Sequence, residues 1–334
     1  MIARVLGVAL LVVSTMSSVS ASELDNLSTQ FANDAPKQWK QYLAGASRGE
    51  GSVNFQKRDL NRNGAMISKT DSQVLVVGPL SKVQTSDGGT KRLSVINRKY
   101  AFELESIGDK WVISNVNIDI SNVPGLGDDP LGGIGSALGA VPLRFTGRGL
   151  VLWATWLPKI VEDDSFEIRE ISYAGGEDKR LVQVEYEYNP SIVANNPIRG
   201  GTLTLDPENY WLVREATVRG EWPASNERGS IRITNNYEMD DAGFPWIKQQ
   251  IMRVQASGNV HEAVNDEWVW NFDLREVEDE PEPSQFTLTA FGFSEPGMTG
   301  STTSTMMFRI TVLIALCLLL AIIARHWQSK PAAR

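Results

Sequence analysis

The chain has 334 residues, with 40 acidic and 32 basic side chains, a formal net charge of −8, one cysteine and two histidines. Five basic residues (Arg4, Arg309, Arg325, Lys330, Arg334) lie in the tails and every acidic residue lies between Glu23 and Glu295, leaving 27 basic against 40 acidic side chains, about −13, in the body of the chain. Such a surface repels nucleic acid and anionic headgroups. The lone thiol, Cys317, excludes a disulfide-stapled scaffold, and about 275 residues bury enough core to do without one.

At the N-terminus, Met1–Arg4 is short and basic, Val5–Val13 is apolar, and Val19-Ser20-Ala21 has the small-residue pattern of a cleavage site. That order predicts a secretory signal peptide over residues 1–21 and a mature chain from about Ser22. Nine apolar residues are too few for a membrane span. No cysteine follows at which a lipid could be attached.

Leu24 to Leu43 has helical spacing, with Leu24, Leu27, Phe31, Trp39 and Leu43 as inward anchors. Pro36 predicts a break and Gly45–Gly51 the end. The next 70 residues read as strands. Val74–Val77 closes at Gly78-Pro79, Arg92–Glu105 reads as one loosely alternating run, and Lys110–Ile120 resumes after a turn at Gly108-Asp109. Pro124–Gly149 is glycine-rich and reads as a loop or short helices. Leu150–Ile160, with Trp153 and Trp156, predicts a covering helix closed by Pro158.

The second half has cleaner period-2 patterns. Val182, Val184, Tyr186 and Tyr188 share one face, and Trp268, Trp270, Phe272 and Leu274 another, each opposed by polar residues. This is the pattern of a half-buried antiparallel sheet. Further strands are predicted over Phe166–Ala174, Gly201–Leu205, Trp211–Arg219, Gly229–Asn235, Trp246–Gln255 and Phe286–Phe291. About ten strands point to a mainly β (α+β) fold, one large curved antiparallel sheet or unclosed barrel with an N-terminal helix and an inserted covering helix.

Thr202-Leu203-Thr204-Leu205-Asp206-Pro207-Glu208-Asn209-Tyr210-Trp211-Leu212-Val213-Arg214 reads as strand, Asp-Pro turn, strand. In this setting it resembles the outer-membrane lipoprotein-sorting family, the periplasmic lipoprotein carriers and their sensor-type relatives. In order of elements the resemblance runs from Leu24 to Phe291. It implies a sheet curled into an open barrel, with helical segments over its mouth and an apolar acyl chain or peptide inside. The carriers are soluble shuttles, whereas a C-terminal membrane segment would tether this chain. No catalytic or ligand residue of the family transfers.

His261, in the turn Gly258–Glu262, is the one histidine before the tail, too few for a histidine-based dyad or an ordinary zinc set. Glu162-Asp163-Asp164 and Asp240-Asp241 lie beside turn residues and lack calcium-loop spacing. An acid pair for glycoside hydrolysis stays open on composition. No phosphate-loop or dinucleotide motif occurs. The expectation is therefore a non-enzyme without cofactors or metals. Trp153, Trp156, Tyr186, Tyr188, Trp268, Trp270 and Phe272 are the candidate lining of an apolar cavity, with a filled aromatic core as the alternative.

Asp279–Pro283 reads as an extended acidic bend and residues 297–305 as a flexible linker. Residues 306–325 contain fifteen uncharged residues, Ile310–Ala324, about 22 Å of helix against a hydrocarbon core of about 30 Å. With Arg309 snorkelling and a basic tail at 326–334, they predict a short transmembrane helix with the C-terminus cytoplasmic and residues 22–296 on the periplasmic side. The segment also resembles the bacterial Pro-Glu-Pro C-terminal sorting signals, although Ser294-Glu295-Pro296 holds the near position and Pro281-Glu282-Pro283 lies upstream. Expected partners are the membrane, a lipid or acyl chain and other envelope proteins. A ligand-free sensor or scaffold module is the alternative.

Overall fold

The computed structural model describes residues 21–117, 143–153, 155–174, 181–190, 197–222, 227–257 and 263–296. The signal peptide, the glycine-rich segment 118–142, His261, the linker at 297–305, the apolar segment 306–325 and Cys317 lie outside them. Among the described residues, no helix is long and apolar enough to cross a membrane.

The first helix, α1, spans Ala21–Ala46. Six strands follow: β1 Gly49–Asp59, β2 Ala65–Val77, β3 Leu80–Asp87, β4 Thr90–Ile96, β5 Ala101–Ile107 and β6 Lys110–Asn117. The next segment holds α2 Leu143–Thr146, a two-stranded hairpin of β7 Val151–Leu152 and β8 Thr155–Trp156, and α3 Leu157–Val161. The long strands of the second half are β9 Phe166–Ala174, β10 Leu181–Tyr188, β11 Ile198–Asp206, β12 Leu212–Trp222, β13 Glu227–Met239, β14 Pro245–Ser257 and β15 Val264–Glu276. The fold is mainly β. Its large antiparallel sheet has the strand order β6-β5-β4-β3-β2-β1-β15-β14-β13-β12-β11-β10-β9, so β6 and β9 are edges and the sheet does not close.

The chain divides into two compact units. In the first (residues 21–47, 53–69 and the described part of 143–275), ladder register places Val184, Leu203, Ala216, Ile233, Met252 and Trp268 in one row across six strands. All but Trp268 are buried. α1 packs on this unit through Leu27, Phe31, Ala35, Trp39, Tyr42 and Leu43, which recur at helical spacing and are at most 4% exposed. Pro36 does not break the helix. The carbonyl that loses its partner belongs to exposed Ala32, where water can replace the missing donor, and buried Ala35 and Trp39 hold the backbone on either side.

The Asp206-Pro207 turn clasps α1. The Asp206 carboxylate accepts from Arg214 Nε (2.9 Å) and Nη2 (2.5 Å) and from Asn209 Nδ2 (2.9 Å), which holds the loop closed. Tyr210 and Trp211 then adopt left-handed backbone, φ 57 and 53. Trp211 is fully buried against Phe31, and its carbonyl accepts from Trp39 Nε1 at 3.0 Å.

The second unit (48–52, 70–117 and 276–296) has its own core of Leu80, Leu93, Val95, Tyr100, Phe102 and Leu104. The predicted run Arg92–Glu105 is two strands here. Asn97 Oδ1 accepts from the Lys99 and Tyr100 amides (2.8 and 3.0 Å), an Asn-centred turn that ends β4 and reverses the chain. The predicted strand Phe286–Phe291 is instead two 3-10 turns, Pro283–Phe286 and Leu288–Phe291. Proline starts the first and Thr287 caps the second, so the segment straps the core with Phe286 and Leu288 buried. Asn97 Nδ2 donates to the Phe286 carbonyl (2.7 Å), and Tyr100 Oη accepts from the Leu288 amide (2.9 Å) and donates to Glu295.

Candidate functional site

The predicted covering helix over Leu150–Ile160 is a hairpin followed by one helical turn. Val151 pairs with Trp156 and Leu152 with Thr155, and Pro158 opens α3 rather than closing a helix. Proline is favoured in a first helical turn because no donor is needed there. Trp153 is thus the first residue of a two-residue hairpin turn, with φ 56. Such turns require positive φ at that position, which suits Gly, Asn or Asp. An indole there carries about 1–2 kcal/mol of backbone strain.

This strained residue reaches a cluster of rings in the first unit. Trp153 lies 5.0 Å from Trp268, tilted 33°, and 6.2 Å edge-on from Trp222. Trp268 is 5.9 Å from Trp270, and Phe55 lies 4.9 Å from Trp270 and 6.3 Å from Trp268. Alternation places Trp268 and Trp270 on one face of β15, and Trp222 shares a face of β12 with Ala216, Val218 and Gly220. Gly220 is needed there, because a Cβ would stand 2.8 Å from Trp222 Cη2 and push the indole off the strand. Phe55, Trp153, Trp222 and Trp268 are all partly exposed.

Two cations sit on the rings. Arg148 stacks over Trp270 at 4.2 Å and Lys57 over Trp268 at 5.4 Å. Lys57 also pairs with Asp266 at 2.9 Å, both mostly buried. Arg148 Nε donates to Gln250 Oε1 (2.6 Å), Gln250 Nε2 to Asn235 Oδ1 (2.9 Å), and Asn235 Nδ2 to the Val213 carbonyl (2.8 Å). This polar chain crosses the covered sheet face and satisfies side chains that burial would otherwise penalise. Trp268 Nε1 is buried and has no acceptor among the described residues.

Of the seven predicted lining residues, Trp153, Trp268 and Trp270 come together. Phe272 continues the same face of β15 at 2% exposure. Trp156 is buried on β8 as core. Tyr186 stacks on Phe166 at 5.3 Å, and Tyr188 donates to Asp163 at 3.3 Å, so these two tyrosines serve β9 and the turn before it. Burial pushes the Tyr186 hydroxyl well above its ordinary value, against the pull of Arg219, and that hydroxyl has no hydrogen-bond partner among the described residues. Phe55, Trp222, Lys57, Arg148 and Asp266 are the members that sequence reasoning passed over. Trp222 was signalled by its period-2 relation to Ala216 and Val218, and Phe55 by the alternation Val53, Phe55, Lys57.

The acidic clusters serve turns. Asp163 Oδ1 accepts from the Ser165 amide and hydroxyl, and those bonds hold its carboxyl below the ordinary value. Asp240 accepts from the Ala242 and Phe244 amides and from Trp246 Nε1. Among the described residues, no group of three His, Cys, Asp or Glu side chains could hold a metal ion.

Compared by sequence, the chain matches no family model and no curated protein. By structure it is similar to a DUF1329 family protein from Desulfovibrio piger, at 11% identity over 78% of this chain and 98% of that one, with a TM-score of 0.43. The Pseudomonas aeruginosa MucA/MucB complex matches at 12% identity over 74% and 100%, TM-score 0.21. A porin-like protein from Bacteroides uniformis matches at 11% over 68% and 96%, TM-score 0.18. Likenesses this remote leave the function to be read from the residues.

Proposed function

We propose that the chain is an exported, membrane-tethered binding protein without enzymatic activity, related to the lipoprotein carriers, which holds an apolar chain (a lipid or lipoprotein acyl chain) or a peptide against its aromatic cluster. The observation that carries this reading is the partly exposed set of Phe55, Trp222 and Trp268 on the sheet with Trp153 of the hairpin packed on it, beside buried Val218, Trp270 and Phe272. Large rings left partly wet give up stabilisation of about 25 cal/mol per Å² that a ligand's apolar surface would restore. Resident cations over Trp268 and Trp270 disfavour a quaternary-ammonium guest, which needs those faces open.

The test is photo-cross-linking of the full chain in its native membrane with a diazirine-bearing fatty acid, the labelled peptides being mapped by mass spectrometry. Saturable labelling at Phe55, Trp153, Trp222 or Trp268 is expected. Absence of saturable labelling, together with no lipid co-purifying with the protein, would refute the proposal. A second reading, an envelope sensor or scaffold with a filled core, is favoured by the α1 end of the first unit, where Phe31, Trp39, Tyr42 and Trp211 leave at most 1% of their surface exposed. Cross-linking to envelope proteins without lipid labelling would select it.

A further inference from the structure

The strain at Trp153 and the orphaned donor at Trp268 belong to one contact. Trp153 is held in left-handed backbone at a turn position where glycine or asparagine would be free of strain, and its ring lies 5.0 Å from Trp268. Trp268 Nε1 is buried without an acceptor among the groups around it. The neighbouring polar groups have other engagements: Lys57 is held by Asp266, and Gln250 by Arg148 and Asn235. A strained ring packed on the indole that carries an unsatisfied donor favours a guest that displaces the first and satisfies the second.

Resting on the reading of this cluster as an apolar-chain site, we infer that Trp153 occupies the ligand's place and swings out on binding, and that the ligand is an acyl chain whose neutral carbonyl oxygen accepts a hydrogen bond from Trp268 Nε1. Trp268 is then the residue that distinguishes an acyl ester from a plain hydrocarbon, and Trp153 is the gate. The unpaired group is a donor, so the guest must bring an acceptor. A formal negative charge is not required, because Lys57 is already neutralised by Asp266.

The full chain in nanodiscs is titrated with two photoactivatable sixteen-carbon probes, a methyl ester and the matching hydrocarbon, in the wild type and the W153G, W153N and W268F variants. W268F keeps an apolar ring and removes the N–H. It should weaken ester labelling about tenfold more than hydrocarbon labelling, one neutral hydrogen bond's worth. W153G and W153N should strengthen labelling by both probes. Near-UV circular dichroism checks folding, and W268L replaces W268F if that variant unfolds. If W268F affects both probes equally or neither, or if the Trp153 variants do not tighten labelling, the inference fails while the binding reading stands. If no variant labels saturably with either probe, the binding reading itself fails.

Discussion

Replacing Trp153 by glycine and by alanine separates backbone strain from packing. Either change removes the ring contacts with Trp268 and Trp222, each worth about 0.5–1.5 kcal/mol beyond burial. Either also removes the apolar area of a partly buried indole, about 3 kcal/mol. These losses are common to both variants and cancel in their comparison. What differs is the backbone. Alanine at φ 56 keeps the left-handed penalty of about 1–2 kcal/mol, and glycine loses it. Glycine's greater unfolded-state entropy returns about 0.5–1 kcal/mol to alanine. The balance makes W153G the more stable variant by about 1 kcal/mol, or about 2–4 °C in melting midpoint for a unit of this size. At an ordinary strand position the order would be reversed. Thermal unfolding followed by circular dichroism at matched concentrations measures the difference. W153A equal to or more stable than W153G would show that Trp153 is not strained, and the gate would lose its basis.

Tyr186→Phe should stabilise the protein by about 1 kcal/mol, because it deletes a buried hydroxyl with no partner while keeping the stack on Phe166; destabilisation in a denaturant titration would mean the hydroxyl is bonded. Asp206→Asn should cost about 1–2 kcal/mol by leaving Arg214 without its charged partner, and an unchanged denaturation midpoint would dismiss the clasp on α1. Gly220→Ala should displace the Trp222 indole and cost about 1–3 kcal/mol, read as a melting shift together with a changed near-UV spectrum. The strap in the second unit should depend on pH at both ends. Burial alone would raise the Glu295 carboxyl, but the Thr289 and Tyr100 hydroxyls, the Thr289 amide and Lys99 together hold it below its ordinary value. Its stabilisation is therefore present above the unfolded carboxyl's pKa and lost as pH falls through the folded one. Tyr100, pushed up to about 12 by burial and by Glu295, contributes stability below pH 10 that is lost as pH rises towards 12. Glu295→Gln should flatten the acid limb of a melting-temperature profile between pH 7 and 3; an unchanged limb would exclude Glu295 as its source.

Legibility followed the wet and dry faces of single strands. Leu181–Tyr188 was readable to the residue, because alternation there coincides with one buried and one wetter face, and the bounds of Phe166–Ala174 were readable as well. Of the predicted anchors of α1, Leu27, Phe31, Trp39 and Leu43 were readable in the same way at a longer period. Arg92–Glu105 was misread as one run because the break rests on a single Asn97 side chain bonding the next amides, a local signal weaker than the apolar residues around it. Leu150–Ile160 was misread because a short apolar run has no period that separates helix from strand, and because a tryptophan is a poor advertisement for a positive-φ turn. The site was half visible. β15 announced Trp268 and Trp270, but their neighbours Phe55, Trp222 and Arg148 come from elements up to two hundred residues away in sequence. Only the strand order brings them together.

On the proposed binding role, the two tryptophans that bracket β12 distinguish the two ends of the first unit. Trp211 and Trp222 stand about 35 Å apart along a strand of this length. Trp211 is fully buried, fixed by Phe31 and by the hydrogen bond from Trp39, so α1 has taken the place a ligand would need. Trp222 meets Trp153 edge-on and stays partly wet. Between them the Arg148–Gln250–Asn235 chain crosses the covered face, and severing it for a guest would strand buried amides at about 1–3 kcal/mol each. An apolar chain entering at the Trp222 end therefore meets a polar barrier before it reaches α1. On the proposed binding role, that would confine a guest to the short aromatic compartment and suit the site to part of an acyl chain rather than its whole length.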